Sequence, residues 1–263
     1  MTNPDAIAVK RILGIPICAT TMDGALDAID DAISTRKRIQ IGVVNAAKIV
    51  NMRRDPALRE DVLSSDLIFA DGMSVVWASR ILGQPLPERV AGIDIMMGML
   101  ARGNVKGYRI FFLGATDEVL GLVTERARRE YPGVHVAGGR NGYYKDEEAE
   151  GIALEIRKSN ADILLVAITS PKKEKFLARW SDTMNVPVCH GVGGSFDVYA
   201  GKVVRAPESW QRLGLEWLYR LKQEPGRLWK RYLVTNSAFS WMVLSELFRR
   251  PFHAADSSRK GGG

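Results

Sequence analysis

The sequence predicts an α/β fold: a mainly parallel sheet with helices on both faces, followed by a C-terminal helical appendage. Two observations predict the sheet. From Arg109 to Asp197, short apolar runs alternate with stretches of helical spacing, which is the pattern of βαβ units. These runs, and two earlier ones, give way to Gly, Thr, Ser, Asn or Asp. One rim of the sheet therefore gathers polar residues, and ligands bind at that rim in open α/β sheets. A third observation predicts the appendage. Lys202 to Arg250 shows no strand pattern, carries ten basic residues against four acidic ones, and holds four of the six tryptophans. The expected divisions are an α/β core over 1–201, a basic aromatic helical unit over 202–250 and a disordered tail over 251–263.

In chain order, Ile7 to Pro16 reads as an opening strand. Thr21 to Thr35 has helical spacing at Ala25, Leu26, Ile29, Ala32 and Ile33, with Thr21 as a cap. Arg38 to Val44 is a strand ending on Asn45, followed by helices over Ala46–Arg53 and Pro56–Leu63. Leu67 to Ala70 has the length of a buried strand; it ends on Asp71-Gly72, and Ser74 to Leu82 reads as a helix. A loop with two prolines and two glycines then leads to Asp94, expected to cap a helix over Ile95–Ala101. Strands at Arg109–Leu113, Val134–Ala137, Ile163–Ile168 and Val186–His190 alternate with helices at Glu118–Glu130, Glu147–Lys158 and Phe176–Met184. This order is Rossmann-like. In the appendage Trp217, Arg220, Leu221, Glu224, Arg227, Leu228 and Arg231 recur at helical steps, and Pro225-Gly226 breaks the helix into two pieces.

Composition narrows the function classes. An apolar content of 46% over 263 residues gives ample core, and the net charge of +7 suits an anionic partner. Cys18 and Cys189 make no disulfide framework, and His135, His190 and His253 are scattered, so neither a metal site nor a cofactor is expected. The N-terminal residues lack the order of a signal peptide, and no uncharged apolar run reaches the roughly 18 residues of a membrane span. A cytoplasmic location is expected.

Asp71 places a carboxylate where a strand gives way to a helix; the plain alternative is a turn made by the Asp-Gly pair. Gly191-Val192-Gly193-Gly194 follows a strand and could present backbone N–H groups to a phosphate, or form a tight turn. Asp197 beyond it could bind ribose hydroxyls or cap the next helix. Thr169 to Lys175 puts Ser170, Lys172 and Lys173 at another strand end, where lysines suit a diphosphate; a solvated charge run is the alternative. Arginines mixed with Trp and Leu in the appendage suit a helix lying on an anionic bilayer, or a terminal helical pair packed on the core. A nucleic-acid-binding protein is a distant alternative, without any recognisable motif. A nucleotide-dependent oxidoreductase rests only on the glycines at 191–194, whose spacing is not G-x-G-x-x-G.

Taken together, Val43 to Ala47, Asp66 to Gly72, Pro85 to Asp94, Ser170 to Glu174, Gly191 to Asp197 and Arg205 to Tyr232 resemble the WecG/TagA/CpsF family of bacterial glycosyltransferases. The resemblance implies an inverting, metal-independent enzyme. It would move a sugar from a UDP-sugar donor to a polyprenyl-diphosphate-linked sugar acceptor, as a peripheral protein on the cytoplasmic face of the inner membrane. Asp71 matches the family's proposed general base. Asn45 lies in the donor-side pocket, Arg89 matches the pocket arginine, and Asp197 matches an acid that contacts the nucleotide. Ser170, Lys173, Gly193 and Gly194 fall in substrate-binding blocks, with Asp94 closing the Arg89 block. Arg220, Arg227, Lys230 and Arg231 match appendage cations that close over the diphosphate, and the appendage also anchors the protein to the membrane. Homo-oligomers, often trimers, are implied, and nucleic acid is not. Val43 stands where the family commonly has Thr, and Lys173 where it often has Gln. The exopolysaccharide subgroup of the xanthan type looks most similar, which implies UDP-glucose and a β-1,4 linkage onto glucosyl-diphospho-polyprenol. The alternative is transfer of N-acetylmannosamine, or its uronate, onto N-acetylglucosaminyl-diphospho-polyprenol.

Overall fold

A computed structural model describes residues 7–169 and 172–256, apart from the side chains of Glu174, Arg227 and residues 250–256. Its centre is a six-stranded parallel sheet. In chain order the strands are β3 (Ile39–Val44), β4 (Leu67–Ala70), β5 (Arg109–Gly114), β6 (His135–Arg140), β7 (Ile163–Ala167) and β8 (Val188–Gly191). Their spatial order is β4-β3-β8-β7-β5-β6. All six strands point the same way, so their carboxyl ends share one rim, as expected.

Alternation along each strand builds two core faces. Ile110 and Phe112 of β5 and Ile163 and Leu165 of β7 face one cluster, with α1 (Met22–Ser34), α5 (Gly92–Lys106) and α6 (Asp117–Glu130). Phe111, Leu113, Leu164 and Val166 face the opposite side, against α7 (Ala149–Lys158) and α8 (Lys172–Met184). Ile68 and Ala70 of β4 extend that opposite side into a third cluster. It contains α2 (Ala46–Arg54), α4 (Met73–Ile81) and the C-terminal helix. Helices therefore cover both faces.

Several boundaries differ from the sequence expectation. The opening strand is a hairpin of β1 (Val9–Ile12) and β2 (Ile15–Cys18), forming a sheet of its own. Leu13 and Gly14 both take positive φ, at 52° and 79°, which is the backbone of a two-residue hairpin turn whose twist matches its strands. Thr21 caps α1 as expected, its Oγ1 accepting from the Gly24 amide at 3.2 Å. Asp94 does not cap α5. The helix starts earlier, at Gly92, with Ala91 at the cap position and no side-chain cap bond.

Past the core come α9 (Ser195–Tyr199), α10 (Glu208–Arg212), α11 (Glu216–Gln223) and α12 (Pro225–Asp256). Pro225 separates the last two, and its ring suits the first turn of a helix, where no amide bond is lost. Helix α12 continues past the expected boundary at residue 250, and 257–263 lie outside the described residues. No helix among the described residues is long and apolar enough to cross a membrane.

Candidate active site

The carboxyl ends of β3, β4 and β8 open into a cavity of about 770 Å³, roofed by α10, α11 and α12. Asn45, Asp71, Arg89, Lys173, Gly193 and Gly194 line it from the core side, and Arg220 and Arg231 line it from the appendage. The fold thus gathers eight of the expected residues, drawn from positions almost 190 residues apart in the chain.

Asn45 ends β3 and caps α2, its Oδ1 accepting from the Lys48 amide at 3.0 Å. Asp71 ends the neighbouring β4 and is held from across the site. The Gly92 amide, first in α5, donates to Asp71 Oδ1 at 3.0 Å. A carboxylate from another strand thus satisfies the start of α5, which is why Asp94 is not needed there. Burial pushes the Asp71 carboxyl above its ordinary range. The Gly92 hydrogen bond opposes that, Glu216 reinforces it, and Lys48 and Arg89 oppose it. The net result is a carboxylate whose proton affinity is raised, suited to accept a proton from a hydroxyl.

Arg89 ties the core to the roof. Its guanidinium bonds Asp94 Oδ2 at 2.8 Å, Glu216 Oε2 at 3.2 Å and Gln211 Oε1 at 3.2 Å. Asp94 also pairs with Arg205 at 2.6 Å. Asp94 is therefore a strut beneath Arg89 and is not part of the cavity wall. Replacing Arg89 by Ala leaves Asp94 and Glu216 short of a partner in a half-buried setting. The expected cost is about 1–3 kcal/mol, read as a lower melting temperature, together with slower turnover as the roof loosens. Unchanged thermal unfolding would show that the roof is held elsewhere.

A second device seats the roof. Gly214 has φ 64°, and a Cβ there would stand 2.6 Å from Trp77 Cη2 and 2.9 Å from Met73 Cβ. Only glycine lets the chain lie flat on α4 at this point. Tyr232 of α12 then meets Trp217 of α11 edge-on, with ring centroids 5.8 Å apart.

Other expected residues fall elsewhere. Asp197 lies in the first turn of α9, behind Gly194 and off the cavity wall; its carbonyl accepts from the Lys202 and Val203 amides. Lys230 points outward over the Trp229 ring at 5.4 Å, because a helix presents neighbouring residues 230 and 231 on different sides. Ser170 and the Arg227 side chain lie outside the described residues. The lysine run is the first turn of α8 rather than a loop, and Lys173 alone of the pair reaches the cavity.

Sequence reading missed Lys48, Gln211 and Glu216 as parts of this site. Lys48 lines the cavity and donates to the Val43 carbonyl at 2.8 Å. Its signal was present, three residues beyond Asn45 on the same helix face. Glu216 and Gln211 had none, since their role depends on where Arg89 lies in space.

The chain matches the Glycosyl transferase WecG/TagA/CpsF family over residues 10–252. It is also similar to an N-acetylglucosaminyldiphosphoundecaprenol N-acetyl-beta-D-mannosaminyltransferase of Bacillus spizizenii (strain W23). The two are 41% identical over 175 residues, covering 66% of this chain and 67% of that protein. Nucleic-acid binding and oxidoreduction give way to this match, and the protein belongs to the WecG/TagA/CpsF family and is a glycosyltransferase.

Proposed function

We propose that the protein transfers N-acetylmannosamine, or a closely related sugar, from its UDP donor to N-acetylglucosaminyl-diphospho-polyprenol. The observation that carries the reaction is Asp71: a half-buried carboxylate of raised proton affinity, opposite appendage cations across one cavity. The choice of sugar rests on the Bacillus spizizenii relative, an N-acetylglucosaminyldiphosphoundecaprenol N-acetyl-beta-D-mannosaminyltransferase by name. Glucose, which the exopolysaccharide-type resemblance favours, becomes the second reading. It keeps one support, the departures Val43 and Lys173, both of which line the cavity.

The chemistry follows from the placement. Asp71 accepts the proton of the acceptor's hydroxyl as its oxygen attacks the anomeric carbon. A carbon–oxygen bond forms to the acceptor while the bond to the diphosphate oxygen breaks. The electron pair leaves with UDP, and attack from the face opposite UDP inverts the anomeric centre. Arg220, Arg231 and Lys173 stabilise the charge that builds on the diphosphate, and Gly193 and Gly194 allow backbone close to a phosphate. Asn45 contacts the donor sugar. Ser170 and Arg227 keep the roles the resemblance gives them, as proposals, whereas Asp197 and Lys230, which stand off the cavity wall, are given no part in the transfer step.

Membrane contact is proposed for the outer side of α12. Trp229, Leu233, Trp241, Leu247 and Phe248 are exposed there, beside Lys230. Exposed apolar surface of this kind marks a site of contact, and basic residues beside Trp and Leu suit an anionic bilayer. A lipid acceptor would then meet the cavity at the surface that holds it.

Donor selection tests the reading. Purified protein is given N-acetylglucosaminyl-diphospho-polyprenol or glucosyl-diphospho-polyprenol in detergent, with UDP-N-acetylmannosamine or UDP-glucose, and the lipid product is weighed by mass spectrometry. The expected product is the first acceptor extended by one N-acetylhexosamine. A single hexose added to the second acceptor would favour glucose instead.

A further inference from the structure

Three polar or charged residues among those described are buried: Ser79, Thr235 and His190. Two of them are satisfied close by in sequence. Ser79 Oγ donates to Val76 O at 2.7 Å and accepts from the Leu86 amide, and Thr235 Oγ1 donates to Arg231 O at 2.8 Å. His190 is different. It lies in β8 at 0% exposure and reaches out of the sheet, its Nε2 standing 3.0 Å from Gly92 O. Its Nδ1 lies 3.5 Å from Ile41 O. Both neighbours are carbonyls, which only accept, and a neutral imidazole carries one N–H. The shorter contact assigns that hydrogen to Nε2, so His190 donates to Gly92.

Gly92 is also the residue whose amide holds Asp71. We infer that His190 is a positioning residue for the base: by fixing the Gly92 carbonyl it aims the Gly92 amide at Asp71 Oδ1 and leaves Oδ2 for the acceptor hydroxyl. This rests on the reading of Asp71 as the base. The strand and helix meet here because residues 188 and 190 face the α5 side of the sheet, while Cys189 faces the other. Burial lowers the His190 pKa to about 4, and the charges of Lys173 and Lys48 add to that effect. The ring therefore stays neutral at physiological pH and keeps a single fixed donor. It holds the base without titrating alongside it.

Three substitutions separate positioning from packing. Gln can place an amide N–H near the Nε2 position, Asn places one near Nδ1, and Leu places none. His190→Asn and His190→Leu are expected to lower kcat by about tenfold to a hundredfold with little change in the KM for the donor. They should also move the acidic limb of the pH profile upward, because Asp71 loses part of the amide that lowers its pKa. The other groups facing Asp71, namely Glu216, Lys48 and Arg89, are untouched. His190→Gln should recover most of the rate and the original limb. Hydrogen exchange at the Gly92 amide, read on the full chain without substrate, is expected to quicken about tenfold in the Asn variant and much less in the Gln variant. The inference is overturned if Gln fares as badly as Leu, or if Asn leaves both Gly92 exchange and kcat unchanged. A near-normal rate in Asp71→Asn would sink the reading of Asp71 as base, while the exchange measurement would still decide what holds Gly92.

Discussion

Replacing Asp71 by Asn is expected to lower kcat by about 10²–10⁴-fold, the usual contribution of a positioned general base, and to raise the melting temperature at neutral pH. Both effects come from one environment. Asn keeps an oxygen to accept from the Gly92 amide, so the start of α5 stays satisfied and UDP binding should persist. It cannot take a proton from a hydroxyl. The stability gain follows from linkage. The unfolded chain titrates this carboxyl near its ordinary value of about 3.9, whereas burial raises it in the folded state. Between the two values the folded chain holds more protons. The stability cost of the buried charge is therefore absent below the ordinary pKa, grows as pH rises through that window, and is complete above the raised pKa. Asn removes the charge and with it the cost. The same shift places the acidic limb of the rate profile above the ordinary carboxylate range, with activity lost as pH falls through it. A variant that still transfers sugar at near its normal rate would remove Asp71 from the base role. Scanning calorimetry at pH 7 and pH 4 checks the stability half, since the gain should shrink at the lower pH.

Ending the chain after Gly201 is expected to leave a protein that does not fold stably. The basic, aromatic composition of the appendage predicts a separable unit whose removal spares a soluble core. The packing says otherwise. Phe239, Met242 and Val243 of α12 are buried in the same cluster as Ile49 and Val50 of α2 and Val75 and Val76 of α4. Each buried side chain of this size contributes about 1.5–3 kcal/mol, so three account for roughly 5–9 kcal/mol. A whole domain has a net stability of about 5–15 kcal/mol, so the loss would consume most of it. Aggregation, or a broad non-cooperative melt, is the expected result; a sharp melt at the full-length temperature would show that α12 is dispensable to the core. Lost activity in the shortened chain would then say nothing of the appendage arginines. Arg220 and Arg231, which are exposed and contribute no core, are the cleaner probes of the cationic roof.

The parts of the fold that read from sequence are those decided locally. Leu67 to Ala70 is legible because four apolar residues between polar neighbours have few other options, and the acid that follows marks the rim. Thr21 is legible because a hydroxyl at a helix start satisfies a nearby amide. The hairpin at Val9 to Cys18 was hidden because Leu13 sits at positive φ, a conformation its side chain gives no reason to expect. Asp94 misleads for a different reason. Its position just inside a helix fits a capping signal, yet the bonds that matter come from Arg89 and Arg205, 5 residues before and 111 after. His190 stayed unassigned because three scattered histidines form no motif, and its partner becomes visible only when β8 lies beneath α5. Spacing names residues that line the cavity more readily than those that hold them in place.

The order of strands across the sheet bears on synthesis. Strand β3 pairs with β4 soon after both leave the ribosome, but its other edge pairs with β8, with Ile39 opposite Val188. Until β8 has emerged that edge lies open, an aggregation hazard. The last wall of the cavity is α12, which emerges later still. Contacts so distant in sequence slow folding, because the intervening chain must be ordered before they form. The nascent protein thus carries Asp71 on an early-made strand, yet the cavity beside it stays open until α12 has emerged and packed.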